Sequence, residues 1–231
     1  MKAAIMQPYF FPYIGYFQLI HAVDKFVFLD DVNFINRGWI NRNRILVNGQ
    51  PYMFTVSLKD ASQNKLINAT EMADDGSSDK ILKTIEHAYK KAPYFEVVYN
   101  LLKQVFFSQA NDIATLAKKS IHAVCTFLNI DTVIIEGSAV FNNKQLHGEE
   151  RIIDINKQLL ASDYINVIGG EELYSKENFA DEGINLHFLK TNEITYSQFS
   201  KDFVPSLSII DVLMFNEKHA IQKMLLQYEI V

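Results

Sequence analysis

A chain of 231 residues with 48% hydrophobic content is long enough to bury a substantial core without staples. Its single cysteine excludes an internal disulfide scaffold, and its net charge of −5 argues against broad nucleic-acid binding, which relies on many basic contacts to phosphates. No run approaches the roughly eighteen apolar residues of a membrane span. The start, Met1 to Pro8, also lacks the apolar segment of a signal peptide, so a cytoplasmic protein without membrane insertion is expected.

The opening apolar run, Lys2 to Gln7, reads as a strand, followed by a turn held by Pro8 and Pro12 and a helix from about Ile14 to Val23. A second strand, Phe26 to Leu29, ends in the paired carboxylates Asp30 and Asp31. Asn48-Gly49 separates Arg44–Val47 from Tyr52–Ser57 and predicts a β-hairpin. Side chains alternate along a strand, so Arg42 and Arg44 share one face of that hairpin while Asn43 and Ile45 share the other.

From Ser77 to Leu128 the period becomes helical, and three helices are expected, with breaks at Pro93 and at Ser108–Asp112. Ser77 or Asp79 is expected to cap the first. Asp131–Glu136 returns to strand. A helix over about Gly148–Ala161, a strand at Tyr164–Ile168, the pair Gly169-Gly170 and a strand at Asn185–Leu189 follow. Strands alternating with helices in the first and last thirds predict an α/β fold: a Rossmann-like, mostly parallel sheet with a β-hairpin excursion and a helical insertion at about 77–128, in a single domain over 1–231.

Several motifs carry a resemblance. Gln7 to Phe17, Asp30 to Phe34 and Arg37 to Ile45 resemble the signature segments of the WbqC-like family, and the likeness continues through Tyr89–Phe95, Arg151–Ile153, Tyr164–Asn166, Gly169-Gly170 and Ser206–Asp211. The resemblance implies a role in O-antigen and other surface-polysaccharide biosynthesis, with transfer of glycine onto a sugar. Tyr13-Ile14-Gly15-Tyr16 also resembles, with tyrosines in place of both histidines, the motif that opens the first helix of class I aminoacyl-tRNA synthetases and nucleotidylyltransferases. The neutral phenols weaken adenylyl transfer there but leave a helix end available for an anion.

Arg37 to Arg44 is the richest binding segment. Guanidinium forks match phosphate oxygens, amides read hydroxyls, and an indole offers a stacking face. The substrate-binding candidates are Gln7, Tyr9, Tyr13, Tyr16, Asp31, Arg37, Trp39, Asn41, Arg42, Asn43, Lys59, Gly169 and Gly170. His147, at a loop-to-helix entry beside Glu149, Glu150 and Arg151, and Asp30, at a strand end, are the catalytic candidates for taking up a proton. Cys125 lies in an apolar helical stretch and reads as an inert thiol. No His/Cys cluster has metal-ligand spacing, so no metal is expected, and the cofactor is left open.

The expected function is a transferase that acylates an amino sugar on a nucleotide-linked precursor, with glycine as one acyl group. The partners expected are that amino sugar, an acyl or aminoacyl donor such as glycyl-tRNA, and a second copy of the chain. The alternatives are a non-catalytic nucleotide-sugar or glycan-binding scaffold and a nucleotidylyltransferase-like enzyme.

Overall fold

The computed structural model describes the whole chain, Met1–Val231. The first apolar run forms β1 (Lys2–Met6), and α1 (Ile14–His21) leads into β2 (Lys25–Phe28), which pairs parallel to β1 with Ala4 opposite Phe26. Both strands are covered on both faces, which is why they read as continuous apolar runs rather than alternating ones. Ala4, Phe26 and Phe28 belong to one buried cluster, and Ala3, Ile5 and Val27 to another.

The hairpin forms as β3 (Arg42–Val47) and β4 (Gln50–Thr55) and stands apart from the main sheet. Asn48 (φ 50°) and Gly49 (φ 75°) occupy the left-handed positions that a two-residue turn of this twist requires. Arg42 and Arg44 are half-buried on one face, and Asn43 and Ile45 are buried on the other, as the alternation predicts.

The three helices of the middle section are α2 (Ser77–Tyr89), α3 (Phe95–Phe106) and α4 (Ile113–Leu128). Asp112 caps α4 by accepting from the Thr115 amide at 2.8 Å. The cap expected for α2 differs. Ser77 and Asp79 fall inside its first turn, Gly76 takes the cap position at φ 73°, and Asp75 accepts from the Ser77 amide at 2.9 Å. Cys125 is buried in α4, where desolvation pushes its thiol up to about 12, so it is no nucleophile.

The chain continues through β5 (Val133–Ile135), α5 (Gly148–Leu159), β6 (Asp163–Val167), α6 (Lys176–Asp181), β7 (Asn185–Thr191), α7 (Ile209–Phe215), α8 (Lys218–Met224) and β8 (Tyr228–Ile230). The main sheet has the order β5-β2-β1-β6-β7-β8. Its first five strands are parallel, and β8 closes the edge antiparallel to β7. The larger core, 47 residues, packs α1 to α4, α7 and α8 together on one face, while α5 and α6 cover the other with 13. The helical insertion therefore supplies much of the apolar burial that holds the site-bearing face.

From β1 the chain moves outward to β2, and from β6 it moves outward the other way to β7. The strand order reverses between β1 and β6, the kind of switch point at whose carboxyl edge open α/β sheets bind ligands.

Candidate functional site

The loop after β1 packs its middle into the core and presents Tyr9 and Tyr13 to a cavity. Phe10 and Phe11 are fully buried, with the Phe10 ring edge-on to Phe106 at 5.3 Å and to Phe54 at 6.1 Å. Phe11 sits at φ 42°, an unfavourable conformation for a bulky residue, and buried polar groups hold it there. Its amide donates to Ser120 Oγ at 3.0 Å, and its carbonyl accepts from Asn43 Nδ2 at 2.8 Å and Ser208 Oγ at 2.7 Å. The Ser208 amide in turn donates to the Arg44 carbonyl at 2.8 Å. Loop 8–13, strand β3 and the segment before α7 are thus fixed against one another.

Two cavities open where these three pieces meet, and they share Tyr13 and Ser206. The smaller, about 220 Å³, is lined by Tyr9, Tyr13, Trp39, Asn43, Arg44 and Ser206. The larger, about 420 Å³, lies between the start of α1 and the irregular chain after β7, with Glu193, Tyr196 and Phe203 in its wall.

Arg44 is the group that stands out chemically. Its guanidinium lies over the Trp39 ring, 5.5 Å from the centroid, and donates through Nη2 to the Ser206 carbonyl at 3.2 Å. Its Nε is buried without a partner, and no carboxylate forms an ion pair with it. A half-buried guanidinium that lines the lobe without a carboxylate partner favours an anion there.

Tyr9 and Tyr13 are both raised above the ordinary phenol range, chiefly by burial, and Tyr9 further by the neighbouring Tyr13 and Tyr174 phenols. They act as neutral hydrogen-bonding rings. Tyr174 is raised by burial and feels the Glu149 carboxylate, which accepts from the Ser175 amide at 2.5 Å. His147 is the exposed N-cap residue of α5, two positions before Glu149, and lines neither lobe.

The sequence candidates fall in several places. Tyr9, Tyr13, Trp39 and Asn43 line the smaller lobe together. Tyr16 is core: it is fully buried, and its hydroxyl donates to the Gln7 carbonyl at 2.8 Å, beneath the lobe rather than in it. Gly15 before it is required by packing, since a Cβ there would lie 2.3 Å from the Tyr13 ring and 2.6 Å from Thr191 Oγ1.

Arg37, Asn41 and Arg42 line a separate groove with Phe34, Thr55 and Ser57. Arg42 donates through Nε to the Gly38 carbonyl at 2.9 Å and through Nη2 to the Arg37 carbonyl, so two of its five N–H donors bond its own turn. Asn41 donates to the Val56 carbonyl at 2.9 Å. Lys59 pairs with Glu71 at 3.4 Å on another surface groove. Gly170 is buried against Asn166, whose Nδ2 would be 2.6 Å from an added Cβ, while Gly169 faces open space.

Asp30 and Asp31 lie past the end of β2, so strand alternation does not separate them: both carboxylates reach Ser138, and each meets a cation from a different helix. Asp30 pairs with Lys118 of α4 at 2.5 Å and accepts from the Ser138 amide at 3.2 Å. Asp31 pairs with Arg151 of α5 at 2.6 Å, with side-chain exposures of 0% and 7%, and accepts from Ser138 Oγ. Both carboxylates are buried and bonded to protein groups, so Asp30 is not free to act as a base.

Arg44 belongs to the Arg37 to Arg44 binding segment but is not among the individual candidates; alternation puts it on the same face as Arg42, and the tertiary structure separates the two into different cavities.

Against known proteins, the chain is similar to the uncharacterized protein Rv1507c of Mycobacterium tuberculosis, 26% identical over 219 residues that cover 93% of each protein. No solved structure matches. No helix is long and apolar enough to cross a membrane. The sequence model of the WbqC-like protein family matches residues 7–223, and so spans nearly all the elements that build the cleft; the chain belongs to that family.

Proposed function

We propose that the protein is a cytoplasmic transferase that acylates the amine of an amino sugar carried on a nucleotide diphosphate, with glycine as the leading acyl group, in surface-polysaccharide biosynthesis. The observation that carries the reading is the unpaired Arg44 guanidinium in a lobe walled by Trp39, Tyr9, Tyr13 and Asn43. Such a lobe suits one small anionic glycoside: the cation takes phosphate, a ring stacks on the sugar face, and the phenols bond its hydroxyls.

In this reading the sugar leaves the lobe on the Tyr9 side, toward Tyr174 and the start of α5. The amine nitrogen attacks the acyl carbonyl carbon of the donor, and the donor's leaving group departs with the electron pair of the broken bond. The amine proton passes to His147, the histidine nearest that route in sequence and of the residue type most often used as a general base. The Glu149 carboxylate, two residues after His147, accepts from the Ser175 amide beside Tyr174, which joins the start of α5 to the Tyr174 segment and supports that direction.

The test is mass spectrometry of a panel of nucleotide amino sugars incubated with the protein and candidate donors: a glycyl-tRNA, an acyl thioester, and glycine with ATP. A sugar nucleotide heavier by one acyl residue, reduced in His147→Ala, supports the reading. Binding of the same sugars without any acylated product overturns it in favour of a scaffold. Pyrophosphate release from ATP without transfer would favour a nucleotidylyltransferase, the reading suggested by the Tyr13-Ile14-Gly15-Tyr16 helix start.

A further inference from the structure

The two lobes differ in charge. The smaller holds Arg44 and no carboxylate. The larger holds the Glu193 carboxylate and no cation, and its wall carries the rings of Tyr13, Tyr196 and Phe203 with Leu207 and Val212. A phosphate placed in the larger lobe would meet like charge with no counter-ion, whereas an uncharged flat group would meet rings. A ligand spanning both lobes is therefore oriented, with its anionic part at Arg44 and its neutral part in the larger lobe.

The rings of the larger lobe are held in place. The Tyr196 hydroxyl donates to the buried carboxylate of Asp211 at 2.8 Å, and its ring meets Phe203 edge-on, centroids 5.1 Å apart at 80°. Gln198 donates to the same carboxylate at 2.8 Å and accepts from the Val204 amide at 2.8 Å, which ties the segment between Tyr196 and Val204 to α7. A slot already ordered loses less entropy on binding than one that must form. At about 420 Å³ it has the size of a small-molecule site and is far too large for a two-carbon glycyl group alone. Asn192 and Thr195 on its wall offer the donors and acceptors that a base edge or a ribose diol needs.

We infer that the larger lobe is a nucleoside pocket: it takes the base and ribose of a nucleoside 5′-diphosphate conjugate, whose phosphates reach past Tyr13 and Ser206 to Arg44. The inference rests on the reading of Arg44 as the anion site and extends it to the neutral end of the ligand.

Calorimetric titration of the full chain with inorganic pyrophosphate and with uridine, cytidine, adenosine and guanosine diphosphates tests it. At least one nucleotide is expected to bind about tenfold or more tightly than pyrophosphate. Thr195→Trp, which fills the lobe from an exposed position, and Phe203→Ala should each abolish that advantage and leave pyrophosphate affinity unchanged. Nucleotides that bind no better than pyrophosphate, or an advantage that survives Thr195→Trp, overturn the nucleoside pocket. Pyrophosphate affinity unchanged in Arg44→Ala overturns the anion site instead, and no binding of any probe overturns both. Acyl transfer is not read in this experiment, so its presence or absence leaves the result intact.

Discussion

The Arg44 guanidinium lies 5.5 Å from the centroid of the Trp39 ring, and Trp39 remains 37% exposed. A cation over an indole gains about 0.5–2 kcal/mol without losing its charge. The pair is thus a surface that holds a guanidinium in place while leaving it attractive to an anion.

Arg44→Ala should weaken binding of a nucleotide sugar or of pyrophosphate by about 1.5–3 kcal/mol, the scale of hydrogen bonds to charged groups, with a melting temperature close to wild type. Arg42→Ala should do the reverse. It leaves the Gly38 and Arg37 carbonyls without their donor and lowers the melting temperature, while affinity stays unchanged. Calorimetry and thermal denaturation on the two variants separate the roles, and equal loss of affinity in both would contradict the assignment.

Arg151→Ala should destabilise the protein by about 3–5 kcal/mol, because it leaves the Asp31 carboxylate buried without its cation. One Asp31 oxygen, Oδ2, already lacks a partner, so the site has no spare hydrogen bond with which to compensate. Urea denaturation measures the loss. The double variant Asp31→Asn/Arg151→Met should recover part of it, since no uncompensated charge remains.

Burial raises the Asp211 carboxyl above its ordinary range, outweighing the hydrogen bonds from Tyr89, Tyr196 and Gln198 that pull it down. The folded state therefore holds the proton more tightly than the unfolded chain does. This group's contribution to stability is fully present below the unfolded value of about 3.9 and is lost as pH rises through the raised folded value. Melting temperatures of wild type and Asp211→Asn, followed upward from acid pH, should show the wild type losing ground relative to the variant across that window. A difference that is constant with pH would show that the carboxyl does not titrate as its burial demands.

Much of the fold is legible locally. Lys25 to Phe28 reads as a strand because every residue after the lysine is apolar, and a strand covered on both faces leaves that signature. Asn48-Gly49 marks the hairpin because few other pairs accept two successive left-handed positions. Pro93 and Asp112 delimit the helices of the insertion, the first by lacking an amide hydrogen and the second by capping. Other features left no local trace. The short antiparallel β8 follows two brief helices, and the segment after β7 that walls the larger lobe has no hydrophobic period to announce it.

By itself, the sequence determined the alternation of strands and helices, the hairpin, the three-helix insertion and the aromatic character of the region around Tyr9 to Trp39, because each depends on residues a few positions apart. Only the tertiary structure decided which carboxylates are paired and which cavity each arginine lines. Asp30 meets Lys118 from 88 residues away, Asp31 meets Arg151 from 120 residues away, and Arg42 is bound by the carbonyls of its own turn. Arg44, two residues further along the same strand face, is left facing a cavity. A cation's availability depends on which buried groups reach it first, and those partners arrive from helices whose placement follows from the order of strands in the sheet.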